Sequence, residues 1–436
     1  MRTSRVVAAT LLTLLVHAPR ASAVVTGTIF GPGSESFRIA VVPLKDGGGD
    51  AGGALGDRFA RALSRDLELS GYFRLVDPHT FIETRQSGIT ASDVDFVGWA
   101  ALGAQAVVKG SVAVAGEGVT VEVRLFDVPG RQEVAQVGRR YSGPQGDLAR
   151  MAHKTADSIL EFLTGERGPF DSMIAFVRSG RGPLKDVYRF TFDMDEPARL
   201  SDERSIVVSP RWRPDARAVL YTSYREHFPH LFEMPLGGRQ PARIAASAGR
   251  LLDGAWSPDG ARLLVTRDEG GDSDIYMVDR GGQVLRQMTD HWAIDVSPAW
   301  APDGRRFAFC SSRSGSPQIY VMAIDGTSPV RVSHMGNYNT SPAWSPKGDR
   351  LAWATRAGGG FQVVVAAADG SNANTITSAG SNENPSWGPD GRYLVFSSTR
   401  AGRHHIVFAD REGKTQKELT RGGFDDTSPA WSQRLE

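Results

Sequence analysis

Six tryptophans, Trp212, Trp256, Trp300, Trp344, Trp387 and Trp431, follow one another at intervals of 44, 44, 44, 43 and 44 residues. A period in the low forties has room for four short strands and fits the blade of a β-propeller. Helical repeats of similar length would need apolar residues at every third or fourth position. These units instead show short β-rich runs cut by Gly, Pro and Asp. In the unit that contains "SPAWAPDGRRFAF" (Ser297 to Phe309), the strands read Val296 to Trp300, Arg306 to Ser311, Gln318 to Ala323 and Val330 to Ser333. Pro302-Asp303-Gly304 closes the first hairpin, because Pro presets φ and Gly accepts a positive φ. The turn varies, with Ala216 in place of the Gly and Lys347 in place of the Asp, but the Trp does not. A large flat side chain at that position is expected to pack between adjacent blades. Ligand stacking at all six positions is the alternative.

The last copy, "TSPAWSQRLE", is a first strand with no second after it. Conversely "SMIAFVR" (Ser172 to Arg178) is a second strand with no first, followed by "VYRFTF" and "ARLS". Together they make one blade. A strand near Thr427 to Ser432 is therefore expected beside Met173 to Val177, closing a ring of six and leaving no free edge. Upstream, "FRIAVVPL" (Phe37 to Leu44) reads as a buried strand, and Leu55 to Leu69 as an amphipathic helix. A short helix near Thr80 to Arg85 and a helix over Val94 to Leu102 follow. "AQAVVKGSVAV", "VTVEVRLFDV" and "EVAQVGRRYSG" read as three consecutive strands, and Leu148 to Leu163 as a helix. The expected fold class is an N-terminal α/β domain followed by an all-β six-bladed β-propeller closed by the C-terminal strand. The expected divisions are a signal peptide (1–23), a mobile arm (24–36), the α/β domain (37–165) and the propeller (166–436).

Arg2 and Arg5, the apolar run Val6 to Val16 and Ala21-Ser22-Ala23 form a secretory signal with an A-x-A cleavage site. The apolar run is shorter than the roughly 20 residues of a spanning helix, and no lipobox-like Cys follows. Cleavage takes away Arg2, Arg5 and Arg20 and no acid, so the formal net charge moves from +1 to −2. No strongly basic face is left to suit a nucleic acid. Cys310 is the one cysteine, so an intramolecular disulfide is excluded; in "FAFCSS" it reads as a small hydrophobe rather than a nucleophile. An exported monomer held by its core, in the periplasm, is the expectation.

Catalytic patterns are lacking in the sequence. There is no G-x-S-x-G elbow, and "GGGDAGGALGD" (Gly47 to Asp57) lacks the G-K-[ST] ending of a phosphate loop. His227 and His230 flank Pro229 with no acid or Cys cluster, and His404 and His405 point to opposite faces of a strand. Asp272 with Asp274, and Asp193, Asp195 and Glu196, are loose acidic turns. No cofactor, metal or enzyme activity is expected. Polar residues gather instead in the loops before the first strands, at one end of the central channel. Asp253, Asp295, Asn339, Thr340, Glu383, Asn384, Asp426 and Thr427 are expected to ring that mouth as an acidic, amide-rich docking surface. Residues 24–36, apolar-alternating and then Gly/Ser/Pro-rich, are expected to add as a strand to another sheet or to dock on their own domain.

The order of signal peptide, "IAVVPL" and "GYFRLVD" domain, linker "TGERGPF" and six "SPAWSPDG"-type blades ending in an unpaired first strand resembles the TolB family of the Tol-Pal system. The resemblance covers the whole mature chain and implies a non-enzymatic periplasmic adaptor that supports outer-membrane integrity and cell division. It implies that the channel mouth binds the lipoprotein Pal, a surface that some colicins borrow. It also implies that an N-terminal arm, here Val24, Val25, Thr26, Gly27, Thr28 and Ile29, binds the C-terminal domain of TolA. The family's Pal-contact pair before the P-x-W of the fourth blade falls at Val296 and Ser297; the pair here is not Thr-Glu-like, and the acid lies one step earlier at Asp295. The other reading of the sequence is the propeller of a secreted peptidase-like or glycan-binding protein.

Overall fold

The computed structural model describes residues 37–48, 52–83, 86–180, 182–192, 196–238, 240–244 and 250–435. The signal peptide and the arm expected over 1–36 lie outside them. The fold is an N-terminal α/β unit followed by a six-bladed β-propeller, with six separate four-stranded sheets in the second part.

The N-terminal sheet is mixed. Phe37–Val41 lies between Phe73–Leu75 and Ala106–Ala115, parallel to both. Ala106–Ala115 and Gly118–Asp127 form a ten-residue antiparallel hairpin. Two helices, α1 (Gly52–Leu69) and α3 (Leu148–Thr164), cover one face. The short helix α2 (Phe96–Ala101) puts Trp99 into a second apolar cluster with Val94, Val107 and Phe126. Two expectations need correction. The third strand is split into Gln132–Glu133 and Arg139–Pro144. Between them the chain turns, with the Val137 N–H bonded to the Val134 carbonyl, so that both valines enter the core. The short helix after Thr80 is instead a 3-10 turn over Pro78–Thr80, started by the Asp77 cap and Pro78. The residue that follows it, Phe81, is already extended.

Blades 2 to 6 each consist of four consecutive antiparallel strands, beginning at Val207, Arg250, Asp295, Asn339 and Asn382. Blade 1 combines Met173–Ser179, Lys185–Thr191 and Ala198–Arg199 with Asp425–Trp431 as its innermost strand. Thr427 pairs with Val177, Ala430 with Ala175 and Trp431 with Ile174, the closure that the two sequence fragments implied. In the first hairpins Gly260, Gly304, Gly348 and Gly391 have φ between 64° and 74°, and Ala216 adopts 56° at the same position. That conformation costs a residue with a Cβ more than it costs Gly.

The tryptophans pack between blades. Each is at most 9% exposed. The indole N–H of Trp212 donates to Ala430 O, that of Trp300 to Ala255 O and that of Trp387 to Ala343 O, in each case a carbonyl of the preceding blade. A second tie recurs on the outer strands. The amides of Val187, Ile275, Ile319, Val363 and Ile406 each donate to a Ser or Thr hydroxyl fourteen residues on, at 2.9 Å.

The two parts share one core: Phe170, Phe192, Tyr393, Phe408 and Trp431 continue the cluster that contains α1 and α3. The Tyr393 hydroxyl donates to Ser70 O at 2.7 Å, and the Trp431 indole donates to the Ser172 hydroxyl at 2.7 Å. Arg392 and Lys347 both reach Glu166, each at 2.6 Å. Buried Asp157 on α3 accepts the amides of Phe170 and Asp171 at 2.9 and 3.1 Å and so clamps the connecting segment. Burial pushes its pKa from 3.8 up to about 7, outweighing the two amide donors.

Two outcomes are expected. Ending the chain at Phe424 removes the closing strand and bares an edge of blade 1; the melting midpoint should fall by more than about 10 °C, with aggregation. Calorimetry and size exclusion check this, and an unchanged monomer would contradict it. The second concerns pH. Folded Asp157 holds its proton more tightly than the unfolded chain does, so its contribution to stability is full below about pH 4 and is lost as the pH rises to about 7. Relative to Asp157→Asn, the parent should lose on the order of a few kcal/mol across that window in urea unfolding. A pH-independent difference would contradict the clamp.

Candidate functional site

The innermost strand of each blade lines the central channel, and its geometry decides what faces a partner. Read forward to the Trp, the burial pattern of Asp295–Trp300, Asn339–Trp344 and Asn382–Trp387 is identical: buried, two half-buried, buried, half-buried, buried. Simple alternation would put the residue five before the Trp on the channel face. A β-bulge prevents this. Between Val296 and Ala299 the strand advances three residues while its partner, Cys310 to Ala308, advances two. The same shift occurs at Val208/Arg211, Thr340/Ala343, Glu383/Ser386 and Thr427/Ala430. Ser209, Ser297, Ser341, Asn384 and Ser428, three before each Trp, take φ between 54° and 57° in the first four cases and 50° in the last. The extra residue flips the alternation above it.

Three of the expected rim residues are therefore buried, and this corrects the picture of an acidic rim. Asp295, Asn339 and Asp426 have no accessible surface. Asp426 makes a two-pronged ion pair with Arg178 at 2.7 and 2.9 Å. Asp295 is bonded to Arg313 at 2.7 Å, and burial holds its pKa above the usual carboxylate range despite that cation. The Asn339 amide donates to Gln318 of blade 4 and accepts from the Trp353 indole. Asn382, one residue before Glu383, repeats the link to Gln362 of blade 5. Asn339 and Asn382 thus tie their blades to the preceding ones, whereas Asp295 and Asp426 brace the second strand of their own blade.

Val296, Ser297, Thr340, Glu383, Asn384 and Thr427 are half-buried along the channel wall. Asp253 is also half-buried, and burial raises its pKa. Of the other candidates, Cys310 is buried and its thiol is pushed up to about 12, which leaves it protonated at neutral pH. His230 bonds Arg243 in the hairpin of blade 2. Among the described residues no group of three or more His, Cys, Asp or Glu is placed to hold a metal ion.

The sequence reading missed what does face solvent at this mouth. Leu184, Ile206, Phe228, Trp292, Ile294, Met335, Tyr338 and Phe424 are all exposed, with Trp292 at 75%. By topology every one lies in a loop before a first strand or in a hairpin between second and third strands, at the channel end where the first strands begin. Arg178, Arg225, Arg313 and Arg400 stand behind them at the ends of the second strands, each over an aromatic ring; Arg178 lies 4.8 Å from the centre of the Phe424 ring. The mouth is thus an apolar rim backed by arginines: Arg178, Arg225 and Arg313 are paired with Asp426, Glu203 and Asp295, and Arg400 donates to Ser398 and Asn382. A rim of this kind suits a protein surface better than a small polar ligand. The signal was in the sequence as aromatic and aliphatic residues in loops that are otherwise polar, such as "DHWAI" and "HMGNY".

Family models match at both ends of the chain: the TolB beta propeller domain over residues 160–435 and the TolB amino-terminal domain over 26–134. The chain belongs to the TolB family. The crystal structure of TolB from Acinetobacter baumannii superposes with a TM-score of 0.80 at 25% identity, covering 92% of this chain and 97% of that one. The Tol-Pal system protein TolB of Syntrophotalea carbinolica is 40% identical over 195 residues, which is 44% of each chain. Its counterpart from Anaeromyxobacter dehalogenans is 39% identical over 205 residues, 46% of each. These matches span less than half the length of the curated relatives. Both of these relatives are named as proteins of the Tol-Pal system. Among the described residues no helix is long and apolar enough to cross a membrane.

If Asn339 locks two blades, Asn339→Ala should cost about 1–3 kcal/mol of stability, since it strands the buried Gln318 and Trp353 groups. Denaturant unfolding measures this. A neutral substitution would return Asn339 to the list of contact residues.

Proposed function

We propose that this TolB-family chain is a non-enzymatic periplasmic adaptor of the Tol-Pal complex, supporting outer-membrane integrity and cell division. It binds Pal at the channel mouth where the first strands begin, and TolA through residues 24–29. The observation that carries the reading is the gathering of eight exposed apolar side chains at that one mouth, on a scaffold whose relatives are named for the Tol-Pal system. Exposed aromatics such as Trp292 and Phe424 are the residue types that dominate binding energy at protein interfaces. Val296, Thr340, Glu383, Asn384 and Thr427 line the channel just inside, and all but Val296 offer polar side-chain contacts to whatever segment enters. Asp295, Asn339 and Asp426 act indirectly, by holding the loops in place. The arm lies outside the described residues, and its assignment to TolA rests on family membership and on its alternating apolar pattern.

The test is a calorimetric titration of the mature protein with the soluble domain of Pal from the same organism. Saturable binding is expected, and Trp292→Ala combined with Phe424→Ala should weaken it by at least about 30-fold, or 2 kcal/mol. Deleting residues 24–29 should leave that affinity unchanged and abolish binding of the TolA C-terminal domain. Full Pal affinity in the double variant would sink the mouth assignment, and loss of Pal binding on deletion would make the arm part of the Pal site.

A further inference from the structure

At the opposite end of the channel, where the tryptophans sit, the structure holds a second cavity that the adaptor reading does not use. It measures about 450 Å³ and is lined by all six repeat tryptophans and by prolines two before and two after them. That volume lies within the range of small-molecule sites, which are mostly apolar with a few placed polar groups. The residue just before the Trp faces this space. In five blades it is small: Ala255, Ala299, Ala343, Ser386 and Ala430. In blade 2 it is Arg211.

Arg211 departs from the repeat with no structural partner to account for it. Its guanidinium donates to the carbonyl of its own neighbour Pro210 at 2.9 Å, and among the described residues it forms no ion pair. The other arginine of the wall, Arg213, is tied to Asp215 and Glu233. Burial works against the charge on Arg211, and Asp253 in the next blade acts on it only as a more distant field. Burying a cation without a hydrogen-bonded counter-ion is costly. The repeat could have avoided that cost with an alanine, as its neighbours do. A guanidinium with free N–H groups at the edge of an aromatic cavity is a receptor for a carboxylate, which it can meet with two parallel hydrogen bonds.

We propose that this end of the channel binds a small organic carboxylate with a flat apolar body. The carboxylate pairs with Arg211, and the body lies among the Trp and Pro side chains. The cavity is too large for the anion alone, and the Trp and Pro rings supply the apolar part of its wall. The small residues before the other five tryptophans supply the room.

The experiment is calorimetry of the mature protein with 2-naphthoate, and with 2-naphthamide as the uncharged isostere. Naphthoate should bind with a dissociation constant between about 10 μM and 1 mM and quench tryptophan fluorescence. The amide should bind at least about tenfold more weakly, as should naphthoate with Arg211→Met. Arg211→Lys, with its charge but no fork, should fall between the two. Equal binding of acid and amide to the parent protein would overturn the proposal without relying on any variant. So would unchanged affinity in Arg211→Met, or no binding of naphthoate at about 5 mM.

Discussion

Everything in the propeller depends on one strand pairing, between residues 425–431 and 173–179, which lie some 250 positions apart in the chain. The pairing converts six sheets stacked in a row into a ring. Only in a ring does each repeat tryptophan find a preceding blade to pack on, including Trp212, whose indole reaches Ala430 on the closing strand. The same strand carries Trp431 into the core shared with the N-terminal unit, against Phe192 and Phe408 and bonded to Ser172. One seven-residue element therefore closes the ring and anchors the two parts to each other. Arg434 extends the seam by donating to the carbonyls of Gly168 and Arg167 in the connecting segment.

The bulge in the inner strands gives the ring two unlike ends. Above it, the residue five before the Trp turns into the wall, where Asn339 and Asn382 tie their blades to the preceding ones and Asp295 and Asp426 pair with an arginine of their own blade. The polar chemistry of the upper channel is spent on structure, and the loops beyond it are free to carry apolar groups such as Trp292 and Met335. Below the bulge alternation resumes, and small side chains face the channel beside a ring of indoles. One scaffold thus presents a broad apolar rim suited to a protein at one end and a Trp-lined cavity at the other.

Much of this architecture was legible in the residues. The 44-residue tryptophan period, the Pro-Asp-Gly hairpins and the two complementary fragments specified blade number, strand order and closure, because each depends on local turn chemistry or on simple counting. The channel mouth was legible only in part. Its position followed from strand direction, but its character did not. Asp295, Asn339 and Asp426 look like rim residues to anyone counting by twos from the tryptophan; the serine or asparagine at positive φ that reverses the count is not visible in composition. In the N-terminal sheet the third strand was read as continuous, because Val134 and Val137 look like strand residues when they in fact enter the core from a turn. Arg211 stood in the sequence as a break in an Ala-Trp pattern, but only its place in the cavity wall gives that break a meaning.

The central functional claim is that the apolar mouth is the surface that receives Pal. Amide hydrogen exchange on the mature protein, with and without the soluble domain of Pal from the same organism, locates the contact without altering a residue. The expected result is new protection in the loops at 290–294, 334–338 and 421–424, with the Pro302–Gly304 and Pro346–Gly348 hairpins at the far end unaffected. Protection confined to those hairpins, or to the N-terminal sheet, would contradict it.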